Sequence, residues 1–318
     1  MMQNPPSRRR PLGRLVAAFV VVAALVAVTV TPVEASGKHR HRARAPRVAG
    51  MVIVESDQDL ESSWSAVIGA LEANPNIGIV AQIDHAAAAA SVGLELAPNR
   101  VVVFGNPALG SPLMARNQVT GIDLPQKIHV FEQHGRVWVG FNDTTYLRAR
   151  HRLGDAPTLD TIAGALRNLA RVAADRDLTE ARSRGAFRFR PRPGLITLAS
   201  DADVDTTWDR LLDAIEASPA NVAYQVDHQA GAAGVGVDLR PTRLVVFGNP
   251  NLGTPLMQAR PTAGIDLPIR FLVWEDAEGQ VWVTTNDERL ARRHRLRRAD
   301  LDAIAGAVEN FLTVATTS

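Results

Sequence analysis

The sequence predicts an α+β protein of two tandem copies of one two-layer sandwich, each with a mainly antiparallel sheet and helices on one face. Three observations predict it. Phe104 to Pro125 (FGNPALGSPLMARNQVTGIDLP) returns from Phe247 to Pro268 (FGNPNLGTPLMQARPTAGIDLP), with 14 of 22 positions identical at a constant offset of 143. The match extends outward: Asp84-His85 maps to Asp227-His228, Arg100 to Arg243, Trp138 to Trp282, Asn142-Asp143 to Asn286-Asp287 and His151 to His294. Finally, both copies run strand, helix, strand, short helix or turn, three strands, helix, the order expected when helices cover one side of an antiparallel sheet.

Each copy opens with a strand, Met51–Glu55 or Leu195–Ala199. Ser56-Asp57 and Ser200-Asp201 then suit a helix N-cap. The next helix places Leu60, Trp64, Val67, Ile68 and Leu71 on one face, and the second copy repeats the spacing with Val204, Trp208, Leu211, Leu212 and Ile215. A middle segment, 78–96 or 222–239, reads as a strand and a short turn or helix. Strands follow at Val101–Phe104, Ile128–Phe131 and Val137–Phe141, the last two joined by a glycine-containing hairpin. A closing amphipathic helix carries Leu159, Ile162, Leu166 and Leu169, or Leu301, Ile304, Val308 and Phe311. These elements place the domains at 48–175 and 195–318, with a polar linker at 176–194.

The N-terminus reads as a targeting segment. Arg8, Arg9, Arg10 and Arg14 precede an uncharged run that ends in Val33-Glu34-Ala35, so residues 1–35 fit a signal peptide cleaved after Ala35. The run also approaches the length of an uncleaved transmembrane anchor, and Ser7 to Leu12 loosely resembles a twin-arginine signal, so anchor against cleavage and the export route stay open. Either way the folded part is expected outside the cytoplasm, periplasmic or extracellular, and touches a membrane only through that segment. Residues 36–47 form a basic tether. Beyond residue 35 the chain carries 31 basic and 32 acidic residues, a balance that gives no reason to expect nucleic-acid binding. Cysteine is absent and only Lys38 and Lys127 supply lysine, which excludes thiol chemistry and leaves Schiff-base or phosphate-loop lysines almost nowhere to be.

The series FGNPxLG[ST]PLM…GIDLP, then strand, hairpin, VWV and an Asn-Asp followed by Arg-His, resembles the DUF302 family of small bacterial domains. The second copy is the closer match, and the first departs at residues 128–133. The resemblance implies a compact α+β domain that tends to pair with itself, and it implies no activity, substrate, cofactor or catalytic residue.

The candidate ligand-binding residues are Gly105, Asn106, Met114 and Asp123, their counterparts Gly248, Asn249, Met257 and Asp266, and the pairs Asp84-His85 and Asp227-His228. The FGNP turn follows a strand, with Ser111-Pro112 as helix N-cap and first helical residue, a setting that can cradle an anion on free backbone N–H groups. The competing reading has Gly105 and Gly110 supply unusual dihedrals in a purely structural turn. Asp84, His85 and His151 could form an acid–base set or a metal site, although neighbours on a strand point to opposite faces and His151 lies among arginines. Asn142-Asp143 suits an Asx turn or N-cap. Asp123 and Asp266 must face solvent or meet a cation such as Lys127, Arg270 or Arg100. Met114 and Met257 fit an adaptable pocket or ordinary core. Trp138 and Trp282 read as core or interface, and Arg289 to Arg298 as a solvated helix face. No metal and no cofactor is expected. The expectation is a non-enzymatic module, for a small ligand or for assembly, whose two copies pair as an intramolecular pseudo-dimer. The alternatives are an Asp/His hydrolase or isomerase, or a periplasmic metal carrier.

Overall fold

The computed structural model describes residues 45–179, 181, 183, 194–287 and 292–317. The expected signal segment, nearly all of the tether and much of the linker lie outside the described residues.

The first copy runs β1 (Met51–Glu55), α1 (Leu60–Glu72), β2 (Gly78–Asp84), α2 (His85–Ala90), β3 (Asn99–Gly105), α3 (Pro107–Arg116), a 3-10 turn (Gln118–Asp123), β4 (Gln126–Gln133), β5 (Arg136–Asn142), α4 (Thr144–His151) and α5 (Thr158–Ala174). The second repeats it with β6 (Leu195–Ala199), α6 (Val204–Glu216), β7 (Asn221–Asp227), α7 (His228–Ala233), β8 (Thr242–Gly248), α8 (Pro250–Ala259), a 3-10 turn (Pro261–Ile265), β9 (Ile269–Glu275), β10 (Val281–Asn286) and α9 (Arg298–Thr316). The sheets are ordered β1-β5-β4-β3-β2 and β6-β10-β9-β8-β7, and every strand pairing in them is antiparallel.

Alternation decides what each sheet face does. Val102, Phe104, Ile128, Val130, Val139 and Phe141 meet Leu60, Val67 and Leu71 of α1 and Leu159, Ile162, Leu166 and Leu169 of α5. Val245, Phe247, Phe271, Val273, Val281 and Val283 meet Trp208, Leu211 and Ile215 of α6 and Val308, Phe311 and Leu312 of α9. Each sheet's opposite face takes the other copy's 3-10 turn: Ile122 packs on Leu244, Val246 and Leu272, and Ile265 packs on Val48 and Met51. Val101, Val102 and Val103 are accordingly all fully buried. An unbroken apolar strand here marks a sheet covered on both sides.

Two local expectations change. Asp59 and Asp203, not the Ser-Asp pairs, cap α1 and α6, accepting from Ser62 N and Thr206 N at 2.7 Å. Ser56 Oγ and Ser200 Oγ instead bond inward to Ser63 and Thr207. The linker also starts as packed structure: Leu178 is buried in the first core, and Arg167 donates to the Ala181 carbonyl at 2.9 Å.

Candidate functional site

Behind each FGNP turn lies a small, mostly apolar cavity, about 250 Å³ in the first copy and 270 Å³ in the second. Phe104, Pro107, Leu109 and Met114 line the first, which His228 and Gly231 of the other copy close. Phe247, Pro250, Leu252 and Met257 line the second, which His85 and Ala88 of the first copy close. The turns build these walls through their caps. Asn106 Oδ1 accepts from Ala108 N and Asn249 Oδ1 from Asn251 N, both at 2.9 Å, with Pro107 and Pro250 as first helical residues.

The helix therefore starts earlier than expected at Ser111-Pro112, and Ser111 and Thr254 sit inside it, each 1% exposed. Both residues line their cavities, and both hydroxyls lack a hydrogen-bond partner, as does Gln126 Nε2 in the first cavity. The glycines also act differently from expectation. Gly105, Gly110 and Gly248 do not occupy the left-handed region. A Cβ on Gly105 would lie 3.2 Å from the Pro125 side chain, and one on Gly248 would lie 2.9 Å from Pro268, so close approach explains these glycines.

Asp84-His85 and Asp227-His228 do not lie within strands. Each aspartate ends its strand and caps the helix that the histidine opens, accepting from Ala87 N and Ala230 N at 2.9 Å. The side chains still diverge. Asp84 pairs with Arg100 at 2.8 Å at the surface, while His85 is buried with Nε2 3.0 Å from the Gly264 carbonyl. His228 mirrors it against the Gly121 carbonyl at 3.0 Å. Burial pushes both rings down to about 4, against the opposing pull of those carbonyls, so the rings are neutral donors at pH 7. The acid–base set Asp84, His85 and His151 is not assembled: the three side chains have separate partners.

Asp123 and Asp266 sit in a different place, a buried ionic cluster where the copies meet. Arg150 Nη1 donates to both Asp123 oxygens at 3.0 and 2.9 Å, and His151 Nε2 lies 2.7 Å from Oδ2. Arg293 donates to both Asp266 oxygens at 2.8 Å, and His294 Nε2 lies 2.7 Å from Oδ2. Each arginine also reaches the other copy, Arg150 to Asn286 Oδ1 at 2.5 Å and Arg293 to Asn142 Oδ1 at 2.9 Å. Tyr146 donates its ring to the centre, with the Arg293 guanidinium 4.7 Å from its centroid. Burial alone would raise both aspartates; Arg150 and His151 on one side, Arg293 and His294 on the other, and Arg270 on both outweigh it and hold the carboxylates ionised. Burial holds His151 and His294 below their usual range despite those carboxylates. Beside the cluster a cleft of about 1050 Å³ reaches Arg150, His151, Asp266 and His294.

The structure thus brings Gly105, Asn106, Met114, Asp227 and His228 to one cavity, and Gly248, Asn249, Met257 and His85 to its counterpart. Asp84 stays at the surface, and Asp123 and Asp266 go to the junction. Arg100, one of their expected cations, binds Asp84 and Glu61 instead. Arg150 and Arg293 were not among the expected site residues. The run containing Arg293 reads as solvated from sequence, yet Arg293 is 8% exposed and Arg150 2%. The repeated Arg-His pair, preserved at the constant offset, was the available signal. Asp143 does cap α4 as the Asx reading expects, accepting from Thr145 N at 2.8 Å. Trp138 is buried, while Trp282 is half-buried and stacks on Trp274 with centroids 6.2 Å apart. Among the described residues no group of three or more His, Cys, Asp or Glu side chains could hold a metal ion, and no helix is long and apolar enough to cross a membrane.

These features define a tandem α+β protein whose copies share a buried polar junction. The chain belongs to the DUF302 family, "Domain of unknown function DUF302", matched over residues 52–172 and 196–317. It is similar to "Fluoride-specific ion channel FluC 1" of Brucella suis biovar 1, 46% identical over 122 residues, which is 38% of this chain and 48% of that protein. The same channel name from Brucella abortus biovar 1 matches at 46% identity over 122 residues, 38% of this chain and 45% of that protein. The chain thus spans about half the length of these curated relatives. A solved structure, the "uncharacterized conserved protein DUF302 from Bacillus stearothermophilus", is 18% identical with a TM-score of 0.34, covering 39% of this chain and 95% of that one.

Proposed function

We propose that this chain is an exported, non-enzymatic module that binds small uncharged ligands, its two copies acting as an intramolecular pseudo-dimer. One observation carries the reading: two equivalent cavities, each walled by one copy and closed by the other, each with a buried hydroxyl that has no partner. An apolar wall with one or two unsatisfied polar groups is the usual composition of a small-molecule site, and an unmade buried hydrogen bond costs about 1–3 kcal/mol that a ligand hydroxyl or carbonyl would recover. The reciprocal closure favours pairing within one chain, as an isologous dimer would pair between chains. About half of each relative named as a fluoride-specific ion channel lies outside the match, so the channel activity in that name is not carried over to this chain.

The test is titration of the purified chain with N-phenyl-1-naphthylamine, a neutral apolar fluorophore. Ala165 and Ala307 occupy corresponding half-buried positions in the two cavity walls. We expect two saturable sites in the unsubstituted protein, one in Ala165→Trp or Ala307→Trp, and none in the double variant. Unsaturable binding, or binding that ignores both substitutions, would overturn the reading.

A further inference from the structure

Lys127 and Arg270 occupy the same position in the two copies and both turn toward the junction, because their neighbours Ile128, Val130, Phe271 and Val273 face the two cores. They are 7% and 3% exposed. The carboxylates nearby are already taken at short range by Arg150 and His151 and by Arg293 and His294. What is left for Arg270 is long: 3.4 Å to the Ile122 and Ile265 carbonyls and to Asp123, and 3.7 Å to Asp266. Its Nε has no partner at all. Lys127 makes no ion pair among the described residues. Three guanidiniums and the Lys127 amine therefore face two carboxylates, in a place where an unmatched charge is expensive.

We propose that Lys127 and Arg270 together bind one small monovalent anion of halide size. The anion would accept from the free Arg270 Nε–H and from Lys127 Nζ and would bring the cluster's positive excess down by one. Neither Lys127 nor Arg270 lines any of the three cavities described above, so the proposed occupant is a single small ion and nothing larger. The 1050 Å³ cleft reaches Asp266, which Arg270 approaches at 3.7 Å, and the Asp266 side chain keeps 9% of its exposure. Lys127 is held well below the usual lysine range, by burial first and by Arg270 next. A bound anion opposes both effects.

The experiment is thermal unfolding of the full chain in sodium fluoride or sodium chloride titrations, with ionic strength held by gluconate, an anion far larger than a halide. The unsubstituted protein should show a saturable rise in Tm. Lys127→Met, which keeps the apolar stem of the side chain, should lose the saturable rise while matching or exceeding the original Tm in gluconate alone. The 19F resonance of fluoride should broaden with the unsubstituted protein and not with Lys127→Met. Arg270→Met should behave likewise, and Lys127→Met decides alone if that variant does not fold. A halide response equal in the two proteins, or no saturable response in either, would overturn the site.

Discussion

His85 and His228 hold neutral rings in a buried seam, each donating to a carbonyl of the other copy. Their folded values of about 4 lie below the ordinary 6.5, so between pH 6.5 and 4 the unfolded chain binds protons that the folded chain refuses. Stability is full above about pH 6.5 and falls as the pH drops through that window, by about 3 kcal/mol per histidine at its end. His85→Gln with His228→Gln keeps a side-chain N–H donor and removes the titration. Urea unfolding at stepped pH should show a flatter decline between pH 6.5 and 4 in the double variant. An unchanged slope would mean that these two rings do not govern the acid limb. The carboxylates act lower: Asp123 and Asp266 are depressed, so their contribution is lost only below the ordinary carboxylate range.

At the scale of elements, the 3-10 turns carry the contact between copies. A Cβ on Gly264 would lie 2.4 Å from Asn99 Oδ1 and 3.0 Å from His129 Nε2, the pair that bonds at 2.7 Å beneath the turn. On Gly121 it would lie 3.1 Å from the His228 ring and 3.2 Å from Leu272, a looser fit. Overpacking a filled interior costs about 1–3 kcal/mol. Gly264→Ala should therefore lower Tm more than Gly121→Ala, as calorimetry of the two variants would show; the reverse order would contradict the packing described. Helix faces such as Leu60, Val67 and Leu71 were legible in the sequence because their spacing answers to one copy's own core. The turns were not. Ile122 and Ile265 sit in a short Gly-Ile-Asp-Leu-Pro stretch with no periodic face, and local pattern says that such a residue is buried without saying against what. Helix starts were misplaced for a related reason. Ser, Asp and Asn all serve as caps, and only tertiary packing selects Asp59 over Ser56 and Asn106 over Ser111.

Across the whole molecule, the repeat makes duplication legible and leaves the junction hidden. Arg150 and Arg293 lie in arginine-rich runs, and the sequence does not show that each will meet the opposite copy, Arg150 at Asn286 and Arg293 at Asn142. Asp123 shows how far the two halves depend on that junction. It is an acceptor for Arg150 and His151 of its own copy and for Arg270 of the other. Removing one member of a buried ion cluster leaves the others desolvated and uncompensated, at a cost of about 3–5 kcal/mol. In Asp123→Ala the stranded charges include Arg270, which belongs to the second sheet. Hydrogen exchange read strand by strand should therefore show β8 and β9 losing protection together with β3 and β4. Loss confined to β3 and β4 would mean that the copies unfold as independent domains and that the pseudo-dimer reading fails at its centre.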